Sequence, residues 1–304
     1  MHFLSKIKYS FLLVFLLFII LFSYFSGFYV FKNSYAPKYS IGDKFSVETF
    51  HSYVINLEKD KTKYEHFLNH FKEILPNENL TRIDAIYGKN LSKDYIDQIV
   101  DTKKTGRFVG VGSVGCYLSH IEAWKRCLES SNEFCLVFED DLKIKDDYKL
   151  LLKDIIKELI EEKDKWDILS FEMSHKGMPI AVDKIMDGKF SISYYLLPVT
   201  HTGMYMINKK AAKSLLDKSL PIMMDVDHFF TRTWEFDGIK FAGLEPRIAY
   251  QDELQLSSRT TQVDKSILKA KKKKSFIYFV FESKRGIIYF LHNLKLAIKF
   301  KFFH

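Results

Sequence analysis

The sequence predicts an α/β fold built on a mostly parallel central sheet and preceded by one transmembrane helix. Three observations carry this reading. Short apolar runs alternate with amphipathic stretches whose apolar residues recur every three or four positions, the order that lays helices over a sheet. The run FCLVF at 134–138 is continuously apolar, as a strand buried on both faces must be. The run FLLVFLLFIILFSYFSGFYVF at 11–31 has no charge over about 21 residues, long enough to cross a bilayer.

In chain order, residues 1–31 are the anchor. A cleaved signal peptide would have a shorter apolar stretch, with Ser23, Ser26 and Gly27 as its small residues. Lys6 and Lys8 precede the span and Lys32, Lys38 and Lys44 follow it, so the positive-inside rule fixes no orientation. Residues 32–50 form a polar linker. SYVINL at 52–57 reads as a strand, and 61–75 as a helix with Tyr64, Phe67, Leu68, Phe71 and Leu75 inward, ended at Pro76-Asn77. Thr81 to Ile86 is a second strand closed by Gly88, and 89–110 is polar. A helix is expected from Cys116, with Tyr117, Ile121, Trp124 and Leu128 on one face. The FCLVF strand follows, then a helix over 146–163 and a strand over 166–171. Residues 191–208 are strand material and 209–218 a short helix. The globular domain thus spans 51–262.

The last segment, 263–304, carries Lys269 and Lys271–Lys274, then SFIYFVF and GIIYFLHNLKLAIKFKFFH. A basic amphipathic tail of this kind suits an anionic membrane surface; the alternative is a last helix packed on the domain. The net charge of +8 lies largely in this tail, on a nearly balanced domain, which argues against nucleic acid as a partner. Cys116, Cys127 and Cys135 are odd in number and match no zinc spacing. They read as reduced, small buried hydrophobes that demand no oxidising compartment.

The FCLVF strand stops at Glu139-Asp140-Asp141. Three acids at the carboxyl end of a buried strand are costly if dry, and in open α/β sheets that end is where ligands bind. Glu139 and Asp141 form an acid-x-acid pair suited to Mn²⁺ or Mg²⁺, which would bridge a diphosphate; the alternative is a solvated acidic turn. GVGSVGCYLSH at 110–120 places Gly110, Gly112 and Gly115 in the order of a dinucleotide loop. A buried strand should lead into such a loop, yet DTKKTGRFV precedes these glycines.

In order along the chain stand YVINL at 53–57, the Arg82, Ala85 and Gly88 of TRIDAIYG, GSVGCYLSHIEAW at 112–124, LVFEDD at 136–141 and GMYMINKKAAKSLL at 203–216. PIMMDVDHFF at 221–230, Gln251 and Ser257-Ser258 follow. Together these blocks resemble glycosyltransferase family 25, the lipooligosaccharide-type sugar transferases, over roughly residues 52–260. The resemblance implies a GT-A-type nucleotide-sugar-binding domain, a metal at the acid-x-acid motif and inverting transfer. It implies a galactose or glucose donor, UDP-hexose in class, and a lipooligosaccharide or other glycan acceptor.

On that basis Glu139 and Asp141 are the expected metal ligands. Asp227, then Asp225, are the candidate bases for the acceptor hydroxyl. Asn56, Arg82, Ser119, His120, Asp140, Gln251 and Ser258 are candidates for holding the donor. Asn56 would meet the nucleobase, and Arg82 the diphosphate or uracil side unless it forms a surface ion pair. His120 would meet phosphate unless it is a hydrogen-bonded structural histidine. Asp167 and Glu172 read as structural, and Trp124 as core. The competing functions are an NAD(P)-linked oxidoreductase using Gly110, Gly112 and Gly115, and a membrane-anchored sugar-binding protein without catalysis. Because nucleotide sugars are made in the cytosol, the expected location is a single-pass membrane protein with its domain on the cytoplasmic face of the inner membrane. The opposing picture is a lumenal domain supplied with imported donor.

Overall fold

The computed structural model describes residues 50–75, 79–173, 177–236, 238–252 and 276–302. The expected span at 11–31, linker residues 32–49, the lysine run and Ser258 lie outside them, while Phe50, read as the linker's last residue, opens the first strand. Among the described residues no helix is long and apolar enough to cross a membrane.

Strands β1 (Phe50–Asn56), β2 (Leu80–Asp84), β3 (Phe134–Glu139), β5 (Ile168–Ser170), β6 (Pro179–Ile185), β7 (Phe190–Tyr195), β8 (Met204–Asn208) and β9 (Phe241–Glu245) form one sheet. Their order is β2-β1-β3-β8-β5-β9-β7-β6. Strand β1 runs parallel to both β2 and β3, and β5 parallel to β9. The remaining four pairings are antiparallel, so the sheet is mixed and not mostly parallel as expected, with parallel pairs at the β2-β1-β3 edge and at β5-β9. A tight turn at Met186-Asp187-Gly188, all at positive φ, makes β6 and β7 a hairpin. A second sheet pairs β4 (Leu142–Ile144) with β10 (Ala249–Gln251).

Strand β3 alternates between two cores. Phe134, Leu136 and Phe138 face α1 (Lys61–Phe71) and α5 (Leu152–Glu161), where Phe67, Phe71, Ile155 and Leu159 lie. Cys135 and Val137 face α3 (Val111–Glu129), α6 (Lys209–Asp217) and α7 (Val226–Phe230). Each fully buried large side chain contributes about 1.5–3 kcal/mol, and all of β3 is buried, as FCLVF requires. Two shorter helices complete the set, α2 (Lys93–Ile99) and α4 (Asp146–Lys149). Helix α2 lies within the stretch read as merely polar and is N-capped by Ser92, whose Oγ accepts from the Tyr95 amide.

Three further expectations are corrected. Helix α3 begins at Val111, so Gly112 and Gly115 are helical rather than a loop, and no strand leads into them. This removes the structural context that a dinucleotide site needs. Cys127 and Cys135 are not reduced: they form a disulfide between the end of α3 and β3, with Cα atoms 5.8 Å apart. Only Cys116 remains a free thiol among the three. Finally, the expected helix over 146–163 is two helices, α4 and α5.

The C-terminal helix α8 (Phe276–Phe302) packs on the domain through Arg285, Tyr289, Asn293, Ala297 and Phe300, a stripe of spacing three and four. Its opposite side exposes Ile277, Val280, Ile287, Leu291 and Ile298. Arg107 anchors it by donating to Glu282, which also pairs with Arg285.

Candidate functional site

Because β1 and β3 are parallel and adjacent, their carboxyl ends finish side by side, with Ile55 opposite Glu139. The chain leaves both strands there, and an open cleft of about 90 Å³ lies at that edge. Glu139, Asp140 and Asp141 form one wall; Gly88, Gly112, Cys116 and His120 form the other. The glycines allow the second wall to close. A Cβ on Gly115 would lie 2.4 Å from the Ile86 carbonyl oxygen and 2.6 Å from the Gly88 nitrogen, so α3 packs on backbone alone at this point. Ser119 fixes the same contact. Its hydroxyl donates to the Gly115 carbonyl (2.7 Å) and accepts from the Ile86 amide (2.8 Å).

Asn56 ends β1 and is buried. Its Nδ2 donates to Asp140 Oδ2 (2.7 Å) and to the Asp60 carbonyl (3.1 Å), and its Oδ1 accepts from Arg82 Nε (3.0 Å). Arg82 also pairs with Asp84. Asn56 and Arg82 therefore stand behind the acid triplet and orient Asp140, instead of lining the cleft. Burial pushes the Asp140 carboxyl above its ordinary range, while the Asn56 hydrogen bond and the Lys63 charge pull it back.

Glu139 is reached from two further elements. Thr202 Oγ1, in the loop before β8, donates to Glu139 Oε1 (2.8 Å). His120, wholly buried on α3, places Nε2 3.4 Å from the same oxygen. The other ring nitrogen lies 3.0 Å from the Tyr205 hydroxyl, which accepts from Trp124 Nε1 at 2.9 Å. His120 is thus both hydrogen-bonded into the core and presented to the cleft.

Beyond Glu139 lies a second acid. Glu172, just after β5, accepts from the Gly203 amide (3.1 Å) and sits 2.8 Å from His201 Nδ1. A Cβ at Gly203 would lie 2.4 Å from the Glu172 carboxylate, so only glycine permits this approach. The hydrogen bond to Glu172 raises the His201 pKa above its ordinary value, assisted by the charges of Glu172, Asp227 and Glu139. Asp225 and Asp227 open α7, where Asp227 Oδ1 accepts from the His228 amide (2.8 Å). Neither lines the cleft itself. Gln251 arrives from the other direction: β10 sets it opposite Leu142, and the next residue, Asp252, donates its amide to the Asp141 carbonyl (2.7 Å).

The structure thus brings Ser119, His120, Glu139, Asp140 and Asp141 to one cleft, with Gln251 adjoining. Asn56 and Arg82 sit one layer behind, and Asp225 and Asp227 stand at the start of α7, outside the cleft lining. Asp167 is structural, accepting from Asn208 Nδ2 and from the Lys240 amide. Glu172 is a structural pair partner as well, but it also borders the site. Thr202, His201 and Lys63 were not expected. The polar triplet His201-Thr202-Gly203 at the entry to an apolar strand was the available signal. The donor set at Glu139 and Asp141 is carboxylate oxygen, the ligand type that hard divalent cations take. A cation there would also offset the burial of Asp140's charge. On both counts the residues fit Mn²⁺ or Mg²⁺.

Comparison with known proteins is consistent with this geometry. A family model described as "Glycosyltransferase family 25 (LPS biosynthesis protein)" matches residues 50–230. The "Procollagen galactosyltransferase 1-A" of Xenopus laevis is 28% identical over 203 residues, covering 62% of this chain and 31% of that protein. A "Glycosyltransferase 25 family member" of Anopheles gambiae is 27% identical over 221 residues, covering 63% and 35%. An "Inactive glycosyltransferase 25 family member 3" of Mus musculus is 24% identical over 160 residues, covering 47% and 27%. The chain spans about a third of the length of these relatives. Among solved structures, S. aureus TarS 1-349 aligns with a TM-score of 0.39 and 15% identity, over 66% of this chain and 59% of that one. That likeness is too low to bear on fold or activity. The family match covers most of the sheet and every element around the cleft except β4's partner strand, and the chain belongs to glycosyltransferase family 25.

Proposed function

We propose that the chain transfers a hexose, galactose or glucose, from a UDP-sugar to a glycan or glycolipid acceptor such as lipooligosaccharide, with inversion, on a GT-A-type domain. The observation that carries this reading is the cleft at the β1 and β3 carboxyl ends, where Glu139, Asp140 and Asp141 face glycine backbone. The family's printed description, with its reference to LPS biosynthesis, supports the acceptor class. One curated relative is named a galactosyltransferase, which supports the hexose.

Glu139 and Asp141 hold Mn²⁺ or Mg²⁺, which when bound supplies charge neutralisation on the departing diphosphate. Asn56 and Arg82 keep Asp140 in place; Ser119 and His120 form the wall that the donor phosphates meet, and Gln251 borders it. Ser258 is kept as a late donor contact. Asp227 takes the acceptor hydroxyl proton as that oxygen bonds to the anomeric carbon and the bond to the diphosphate breaks. Asp225 is the alternative base. The intact acid triplet argues against a purely sugar-binding protein. A helical GVGSVG block argues against a nicotinamide site.

The anchor at 11–31 and the exposed apolar side of α8, with Lys284, Lys295 and Lys299, hold the domain at a membrane surface. Cytosolic synthesis of nucleotide sugars favours the cytoplasmic face, whereas the Cys127–Cys135 disulfide favours an oxidising compartment.

The test uses the detergent-solubilised full chain. UDP-hexose turnover should require Mn²⁺ or Mg²⁺ and stop on chelation. Asp141→Asn should lower it on the order of 10²–10³-fold, as loss of one transition-state charge partner does. Near-normal turnover in that variant, or NAD(P)H binding with no effect of any nucleotide sugar, overturns the proposal.

A further inference from the structure

The cleft contains a second set of ligand atoms of a different chemical kind. Cys116 and His120 are four residues apart on α3 and therefore share a face. Across from them stands Glu139. One ligand atom from each, thiol sulfur, imidazole nitrogen and carboxylate oxygen, lies within 4.8 Å of the other two. Among the described residues this is the single group of three or more Cys, His, Asp or Glu side chains to converge in this way. Cys116 takes no part in the disulfide and lines the cleft.

The surroundings match what such a site needs. His120 has one nitrogen against Tyr205, whose hydroxyl is itself fixed by Trp124, while its Nε2 turns toward Glu139. An outer hydrogen bond that fixes ring orientation is the usual support of a metal-binding histidine. Thr202 plays the same part for Glu139. Zinc with S, N and O ligands at about 2.0–2.3 Å needs ligand atoms roughly 3.3–3.6 Å apart. The ligand atoms stand within 4.8 Å of one another, so closing movements of about 1 Å at most would bring them to that spacing. Three protein ligands with the fourth position facing a cleft is an open zinc site.

We propose that Cys116, His120 and Glu139 bind a borderline-soft divalent cation of the Zn²⁺ class. The site is distinct in chemistry from the all-oxygen set Glu139–Asp141, and the two share one carboxylate. Zinc and the hard cation would therefore draw on the same Glu139 carboxylate. This inference does not depend on sugar transfer being the reaction.

The probe is Co²⁺ added to the metal-free, detergent-solubilised full chain with its disulfide intact. A thiolate-to-cobalt charge-transfer band should appear in the near ultraviolet at one equivalent and disappear when Zn²⁺ is added. Cys116→Ser should remove the band and weaken Zn²⁺ binding roughly 10-fold or more, since even an outer partner's loss costs 10–100-fold. Asp141→Asn should keep the band although it loses metal-dependent turnover, which separates this site from the one proposed for catalysis. If Cys116→Ser does not fold, one equivalent of Zn²⁺ should still protect Cys116 of the unmutated chain from alkylation. Absence of the band, its persistence in Cys116→Ser, or alkylation unaffected by Zn²⁺ overturns the inference.

Discussion

Replacing Gly115 with alanine tests the packing on which the cleft depends. The added Cβ would meet the Ile86 carbonyl oxygen at 2.4 Å and the Gly88 nitrogen and Cα at 2.6 and 3.0 Å. All three are backbone atoms, so no side-chain rotation relieves the contact. Ordinary carbon contacts begin near 3.5 Å, so α3 must retreat by about 1 Å. Overpacking of this kind costs about 1–3 kcal/mol, and alanine's better helix propensity returns at most about 1 kcal/mol. The Ser119–Ile86 hydrogen bond, 2.8 Å long, stretches with the helix. The net expectation is a loss of about 1–2 kcal/mol in urea denaturation. Turnover should fall further, because His120 moves away from Glu139 and a 1 Å misplacement can cost 10²-fold. Gly110→Ala is the control: its Cβ would meet only Phe108, at 3.6 Å, so apart from an N-cap cost of about 0.5–1 kcal/mol it should leave turnover near normal. If Gly115→Ala matches Gly110→Ala in both stability and turnover, close backbone packing is not why glycine stands there.

Other substitutions probe separate parts of the argument. Glu172 raises the His201 pKa, so the pair's contribution is full below His201's ordinary value of 6.5 and fades as pH rises through the raised one. The stability difference between the unmutated chain and Glu172→Gln, measured by urea midpoints, should therefore be largest in mild acid and shrink with alkali; a pH-independent difference refutes the ion pair. Glu282→Ala leaves Arg107 and Arg285 buried without their shared carboxylate and should cost about 3 kcal/mol; a loss below 0.5 kcal/mol would show that α8 is not anchored there. Alkylation of the folded, non-reduced chain followed by mass spectrometry should modify Cys116 but neither Cys127 nor Cys135; modification of all three in freshly lysed cells would place the domain in a reducing compartment.

Much of the parallel half of the sheet was legible because local signals there agree with tertiary demands. FCLVF is apolar on both faces and is buried on both, and 61–71 carries its apolar residues at helical spacing. The acids after FCLVF can only be solvated or functional. The start of α3 was not legible, because Gly112 and Gly115 lower helix propensity while close packing against Gly88 overrides it. The β6–β7 hairpin is announced by Asp187-Gly188, but the partly exposed strand PIAVDKI lacks the alternation that would identify it. Glu172, Thr202 and His201 meet only because β8 returns antiparallel between β3 and β5, a pairing that no short window of sequence contains. The Cys127–Cys135 link arises in the same way, from a helix end and a strand start folded back to 5.8 Å.

The two-sided character of α8 makes it a spacer. Its inner side reaches Arg285 to within 3.4 Å of His228, the neighbour of Asp227 on α7. Its outer side offers Ile287 and Leu291 to whatever lies beyond. Any surface that docks there is held about 10–12 Å, one helix diameter, from the start of α7, which carries the candidate base. The helix would thus work as a ruler: an acceptor rooted in that surface must present its hydroxyl at that height. Acceptors with too short a stalk above their root, or too long a one, would miss the base even if their terminal sugar were chemically identical.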